Sequence, residues 1–243
     1  MRLGHFARNS FALQNLAAKV VCRLPAAIVH NLEKLSAIRK AFAYTNLEGI
    51  QGDYLEFGVF EGTSLIGAIN AFGGLHEKTP CRFFGFDSFE GFRLDVRYDG
   101  AHPLFKENEF ATSYERVERR LLKHAKKHDM RLVRGDFRET LAPDRFERLG
   151  IARIRVSLID CDLMSSARYV LWSSARCWQP GTMLVIDDWF NYRGDPAAGV
   201  CGAFEEFGRC HPEVRYRNYG YFGTGGIMRI VQSPPVMAPD EWV

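Results

Sequence analysis

Four carboxylates stand at the ends of two apolar runs. Asp160 and Asp162 follow Arg155-Val156-Ser157-Leu158-Ile159, and Asp187 and Asp188 follow Thr182-Met183-Leu184-Val185-Ile186. Runs of this kind predict short buried parallel strands, and neighbouring strands would bring their terminal acids together. Converging carboxylates repel one another unless a cation neutralises them. The chemistry expected is that of a hard metal site. Magnesium prefers octahedral oxygen ligation and keeps several waters, so a few carboxylates with open positions suit it. The competing reading of Asp187 and Asp188 is a cap on the turn before Asn191.

A second group lies upstream, in Glu56-x-Gly58-x-x-x-Gly62-Thr63-Ser64. A dinucleotide site needs G-x-G-x-x-G to seat a pyrophosphate on a helix N-terminus, and this stretch lacks it. An acid at a strand end followed by two glycines suits a cationic ligand without a pyrophosphate. S-adenosylmethionine, with its sulfonium and ammonium, fits: Glu56 would hold the amino group directly or through water. The amides near Gly62 and the hydroxyls of Thr63 and Ser64 would receive its carboxylate. Asp87, closing Arg82-Phe83-Phe84-Gly85-Phe86, is placed to accept the ribose hydroxyls. Asp136, after a third strand at 131–134, would accept from the adenine amino group, with Ser88 or Phe137 beside the ring. The structural alternatives are a buried, internally satisfied acid at Glu56, a turn cap at Asp87 and a helix N-cap at Asp136.

The elements that position these residues follow from periodicity. Leu13, Leu16, Ala17, Val20 and Val21, then Ile28, Leu32, Leu35, Ile38 and Phe42 after Pro25, predict two helices. They read as an N-terminal helical extension over 1–45, a structural cap with a dimer contact or a substrate lid as the functional options. Residues 46–243 would form one further domain. Strands begin at Asp53, Arg82, Arg131, Ile154 and Thr182. Helices are predicted after Ser64, over 113–128, from Asp136 through Leu149, from a Ser165-Ser166 cap to Trp178, and over 200–210. Glu213 to Tyr219 and Gly226 to Val231 predict a hairpin joined through Gly220, Gly223 and Gly225. The tail with Pro234, Pro235 and Pro239 reads as a surface strap. The long segment 88–112, broken by Gly91, Gly100 and Pro103, reads as a lid. Five βα units and a hairpin match an α/β, Rossmann-like sheet of seven strands in the order 3-2-1-4-5-7-6, the class I methyltransferase plan. A nicotinamide dehydrogenase shares the βα alternation, so the pattern alone does not choose the chemistry.

Four motifs narrow the choice: Tyr54-Leu-Glu-Phe-Gly-Val-Phe-Glu-Gly-Thr-Ser64, Phe84-Gly-Phe-Asp-Ser-Phe-Glu-Gly-Phe92, Ile159-Asp-Cys-Asp-Leu163, and Ile186-Asp-Asp-Trp189 with Tyr192-Arg193-Gly194. Over Gly52 to Phe207 the chain resembles the macrocin O-methyltransferase family of antibiotic-tailoring enzymes. The resemblance implies S-adenosylmethionine as donor, a divalent cation, usually magnesium, and a sugar or phenolic hydroxyl as acceptor. It aligns Asp160 with the first acid of the family's metal triad, so that Asp160, Asp187 and Asp188 would be ligands and Asp162 would stand behind them. The residues themselves leave the order of Asp160 and Asp162 open. Asp160, touching cation and acceptor, would take the proton, with His102 in the lid as the other candidate base. Tyr192 and Arg193 would help close the acceptor pocket. Met164 departs from the family, whose members often carry Tyr there. The same residues also allow a metal-independent methyltransferase, or a noncatalytic module that binds S-adenosylmethionine.

Composition sets the remaining bounds. With 243 residues the chain suffices for one large α/β domain, and a net charge of +3 gives no reason to expect nucleic acid as partner. The basic run Arg116, Arg119, Arg120, Lys123, Lys126, Lys127 and Arg131, interleaved with Val117, Leu121 and Leu122, reads as the solvent face of an amphipathic helix. The six cysteines show no CxxC pair and read as reduced thiols. Arg2, Arg8, Lys19, Arg23 and Pro25 interrupt the apolar N-terminal residues, so neither a signal peptide nor a membrane span is expected. A cytoplasmic protein is expected, with a homodimer as one option and a small hydroxylated acceptor as partner.

Overall fold

The computed structural model describes residues 10–75, 80–100, 102–125, 128–142 and 144–237. Of the features named above, Arg2, Arg8, Lys126, Lys127 and Pro239 lie outside them. The apolar runs form β1 (Asp53–Phe57), β2 (Phe83–Asp87), β3 (Met130–Arg134), β4 (Ile154–Ile159) and β5 (Met183–Ile186), followed by β6 (Arg215–Phe222) and β7 (Gly226–Ser233). They make one seven-stranded sheet of order β3-β2-β1-β4-β5-β7-β6, the order expected. β1 to β5 pair in parallel, and β7 runs antiparallel to both β5 and β6. Every residue of β1, β4 and β5 is buried, as strands covered on both faces must be.

The register decides where the acids meet. Ile159 pairs with Ile186. One residue beyond, Asp160 N donates to Phe57 O and Asp187 N to Ile159 O, each at 2.9 Å. Adjacent strands therefore end in adjacent carboxylates.

Helices cover the two faces: α1 (Phe11–Val21), α2 (Ala26–Leu47), α3 (Thr63–Gly73), α4 (Tyr114–Ala125), the short α5 (Phe137–Thr140) and α6 (Arg145–Arg148), α7 (Met164–Ser174) and α8 (Gly199–Cys210). One core layer joins the sheet to α7 and α8 through Leu171, Trp172, Phe204 and Phe207. The other joins it to α2, α3 and α4, with Ile38, Phe42, Leu65 and Leu121 fully buried. Each such side chain contributes about 1.5–3 kcal/mol of burial. α2 is thus a layer of the domain, packed on Tyr54, Val156 and Val185. Only α1 stands apart, with no buried residue.

Three local expectations change, and one is refined. The helix expected from Asp136 to Leu149 is two single turns, α5 and α6; the sequence between them holds Pro143, and proline has no N–H to continue a helix. The Ser165-Ser166 cap is absent: α7 starts at Met164 behind Leu163, which makes no side-chain cap bond. Gly220 lies inside β6 rather than in the turn. In α4 Val117 and Leu121 are buried while Leu122 is 60% exposed, since it falls a hundred degrees around the helix from Leu121.

Candidate active site

Asp160, Asp187 and Asp188 converge beyond β4 and β5, each offering a ligand atom within 4.8 Å of the others. Asp187 is 2% exposed. Its Oδ1 accepts from Asp188 N at 3.0 Å, and its Oδ2 from His30 Nε2 at 2.9 Å. Lys34 Nζ stands between the strands, 2.6 Å from Asp187 Oδ2 and 2.7 Å from Asp160 Oδ2. Burial opposes the lysine's charge, but the two carboxylates outweigh it and raise its pKa, so the ammonium persists. Burial also opposes ionisation of Asp187, yet the bonds from His30 and Lys34 win and hold it below the usual carboxylate range. Burial pushes Asp160 up to about 7, with Asp187 and Asp188 adding to the rise and Lys34 opposing it. Asp188, at φ 55°, accepts from Asn191 Nδ2 at 2.6 Å. Burial raises it too. Asp162 is driven well above the carboxylate range by burial and by Asp188, to which it is hydrogen-bonded, so it stands behind Asp188 as a proton donor.

Lys34 and His30 went unrecognised in the sequence as site residues. The signal was present: Lys34, Ile38 and Phe42 recur every four residues, so a cation lies on the buried stripe of α2. His30 is fixed from both sides, since Thr224 N donates to Nδ1 at 3.2 Å and Nε2–H points at Asp187.

A cleft of about 1310 Å³ runs from these acids across the ends of β1, β2 and β3. Gly58, Thr63, Ser64, Asp87, Ser88, Asp136 and Phe137 line it, together with Asp160, Asp162, Asp187 and Asp188. Gly58 carries φ 91°, and a Cβ there would lie 1.8 Å from Asp160 O, so only glycine lets the β1 loop pass the acid strand. Gly62 is the left-handed N-cap of α3 and does not line the cleft.

All three carboxylates of the cofactor group are already bonded within the protein. Glu56 is fully buried and is not among the lining residues; Tyr54 Oη donates to Oε2 at 2.6 Å and Ser64 Oγ to Oε1 at 2.7 Å. Burial pushes it up to about 8 against those bonds. Asp87 Oδ2 accepts from Val59 N at 2.7 Å and Phe60 N at 2.8 Å, while Oδ1 accepts from Phe89 N at 2.7 Å. Four lone-pair sites minus these bonds leave room for one ligand hydroxyl. Asp136 caps α5 and also accepts from the Arg138 side chain at 2.8 and 2.9 Å, which lowers its pKa.

The segment 88–112 folds over the cleft with an order its sequence did not announce. Phe92 N and Asn108 N close a ladder onto Glu109 O and Phe92 O, and Thr112 N bonds Phe89 O. Phe60, Phe110, Phe92 and Phe105 form a chain of ring contacts at 5.2 to 5.6 Å. Asp99 ties the loop to α7, accepting from Ser165 N at 3.0 Å and Ser165 Oγ at 2.6 Å. One acid among the five of this segment gave no sign of this in the sequence. His102 stacks on Phe105 at 4.1 Å, with Nδ1 receiving Leu104 N, and does not line the cleft. Tyr192 and Arg193 also lie off the cleft wall, which Asn191 reaches instead.

The strand order, the glycine turn after β1 and acids at successive strand ends define a class I methyltransferase. Residues 25–211 match the family described as Macrocin-O-methyltransferase (TylF), and the chain belongs to that family. It is an S-adenosylmethionine-dependent O-methyltransferase of natural-product tailoring. The match begins one residue before α2, which the resemblance read from Gly52 onward had left out. Among solved structures, the O-methyltransferase NovP superposes with TM-score 0.66 at 22% identity, over 83% of this chain and 80% of that one. The calicheamicin methyltransferase CalS11 gives 0.68 at 22%, over 94% and 90%. An O-methyltransferase from Bacillus cereus, in complex with SAH, gives 0.56 at 15%, over 90% and 88%. A search of curated sequences found no match.

Proposed function

We propose that the chain methylates a hydroxyl of a sugar or phenolic natural-product acceptor, with magnesium held by Asp160, Asp187 and Asp188. The supporting observation is the convergence of those carboxylates within 4.8 Å beside the cleft. They are hard oxygen donors, the kind magnesium takes. Asp160 Oδ1 carries no hydrogen bond among the described residues, and Asp187 Oδ1 is engaged by Asp188 N alone, so lone pairs remain for a cation. Bound there, the cation would lower the pKa of a coordinated hydroxyl, while S-adenosylmethionine supplies an electrophilic methyl.

The chain's own residues then bind, orient and accept. Asp160 takes the hydroxyl proton at Oδ1, the oxygen that Lys34 leaves free. Glu56 acts on the donor's amino group through Ser64, and Gly58, Gly62 and Thr63 shape the turn around its carboxylate. Asp87 holds a ribose hydroxyl with its remaining lone pair, and Ser88, Asp136 and Phe137 flank the adenine. The aromatic chain of the loop excludes water and offers a flat acceptor surface. Positioning of this kind is worth roughly 7–11 kcal/mol of barrier.

One observation favours a second reading, a metal-independent transferase: Lys34 already neutralises Asp160 and Asp187. Methyl transfer from labelled donor to a panel of sugars and catechols, with magnesium or with chelator, separates the two. The metal reading expects turnover that chelator abolishes, and Asp187→Ala at background. Turnover indifferent to chelator would leave the metal-independent reading standing.

A further inference from the structure

Lys34 is bonded to two of the carboxylates that a divalent cation would claim. Its Nζ is 2.7 Å from Asp160 Oδ2 and 2.6 Å from Asp187 Oδ2. The same Asp187 Oδ2 also accepts from His30, so both of its lone pairs are used. The lysine is not a surface chain that wandered in. It is 9% exposed and rises from the buried stripe of α2, whose next turns carry Ile38 and Phe42 into the core. Its turn of helix is fastened on the other side as well: Glu33 Oε2 accepts from Gly223 N at 2.6 Å, and His30 Nδ1 from Thr224 N. The fold thus delivers one positive charge to the acid cluster and holds it there.

We infer that Lys34 is a built-in competitor of the divalent cation. Its ammonium pairs with Asp160 and Asp187 when no ion is bound, which favours their charged forms and holds them in place. It also weakens the affinity for the ion, through like-charge repulsion at the shared carboxylates. Coupling is reciprocal, so an ion that binds must displace the lysine from its contacts or bind against its charge. This inference rests on the metal reading above and adds to it a residue from the N-terminal helix.

Manganese is the probe, because isothermal titration and the loss of its free-ion electron paramagnetic resonance signal report binding without turnover. The full chain is compared with Lys34→Met, close in length and uncharged, and Lys34→Arg, which keeps the charge. Lys34→Met should bind manganese more tightly by roughly 5- to 150-fold, the usual range of coupling between sites. Lys34→Arg should stay near the native value. Lys34→Met should melt lower than the native chain without manganese and gain more from its addition. If Lys34→Met does not fold alone, Lys34→Gln is titrated with the same expectation. Binding by the uncharged variant but not by the native chain would support the competition in its strongest form. Binding by the native chain with no tightening in either uncharged variant overturns this inference and spares the metal reading. No manganese bound by any of the proteins would sink both.

Discussion

Glu56 takes the arrangement that its sequence position offered as the structural alternative, a buried acid bonded within the protein. Both its oxygens accept hydroxyls from Tyr54 and Ser64 inside the protein. Burial raises its folded pKa from 4.5 to about 8. Its contribution to stability is then fully present below the unfolded value and is lost as pH climbs through the folded one. Glu56→Gln cannot ionise, so its urea-unfolding free energy should gain on the native chain by a few kcal/mol between about pH 5 and about pH 8. Parallel profiles would show that the carboxylate is ionised at no such cost. Asp87 makes the complementary point: three backbone amides converge on it, tying the β1 loop to the end of β2. Asp87→Ala should lose roughly 1–3 kcal/mol or more by leaving those donors unpaired, and should weaken binding of the demethylated donor product. Titration calorimetry paired with thermal melting reads both.

At the scale of elements, the site depends on close approaches between segments distant in sequence. The turn after β1 passes over the end of β4 only because Gly58 has no side chain. Gly58→Ala combines a left-handed φ with a backbone clash and should cost several kcal/mol, beyond the roughly 1 kcal/mol of an ordinary glycine exchange. Denaturant midpoints check it; a loss under 1 kcal/mol would mean the turn can yield. The loop over the cleft hangs on Asp99, which is 8% exposed and takes over the capping of α7 from residues that looked like caps themselves. Asp99→Ala should expose the 88–112 segment to limited proteolysis well before the rest of the chain. Cleavage spread evenly along the chain would argue that the aromatic contacts alone hold the loop.

For the whole molecule, the two N-terminal helices have opposite standing. α1 buries nothing, and Phe11 is 80% exposed, whereas α2 places Ile38 and Phe42 at 0% exposure and Lys34 in the acid cluster. Deleting residues 1–21 should leave the melting temperature within a few degrees of the full chain, while deletion through Leu47 should abolish cooperative unfolding. Equal effects would mean α1 is packed after all. The sequence by itself determined the strand order, the acids at the strand ends and the family, because buried strands show as short apolar runs and their ends as abrupt charge. It separated Asp160, Asp187 and Asp188 from Asp162 only through the resemblance. Tertiary structure alone decided that Lys34 and His30 meet Asp160 and Asp187 from well over a hundred residues away. It likewise decided that Glu56 faces Tyr54 and Ser64, and that Asp99 rather than Ser165 caps α7. The physical reason is that periodicity reports which face of an element is buried, while the partner of a buried charge depends on how the helix layer docks on the sheet.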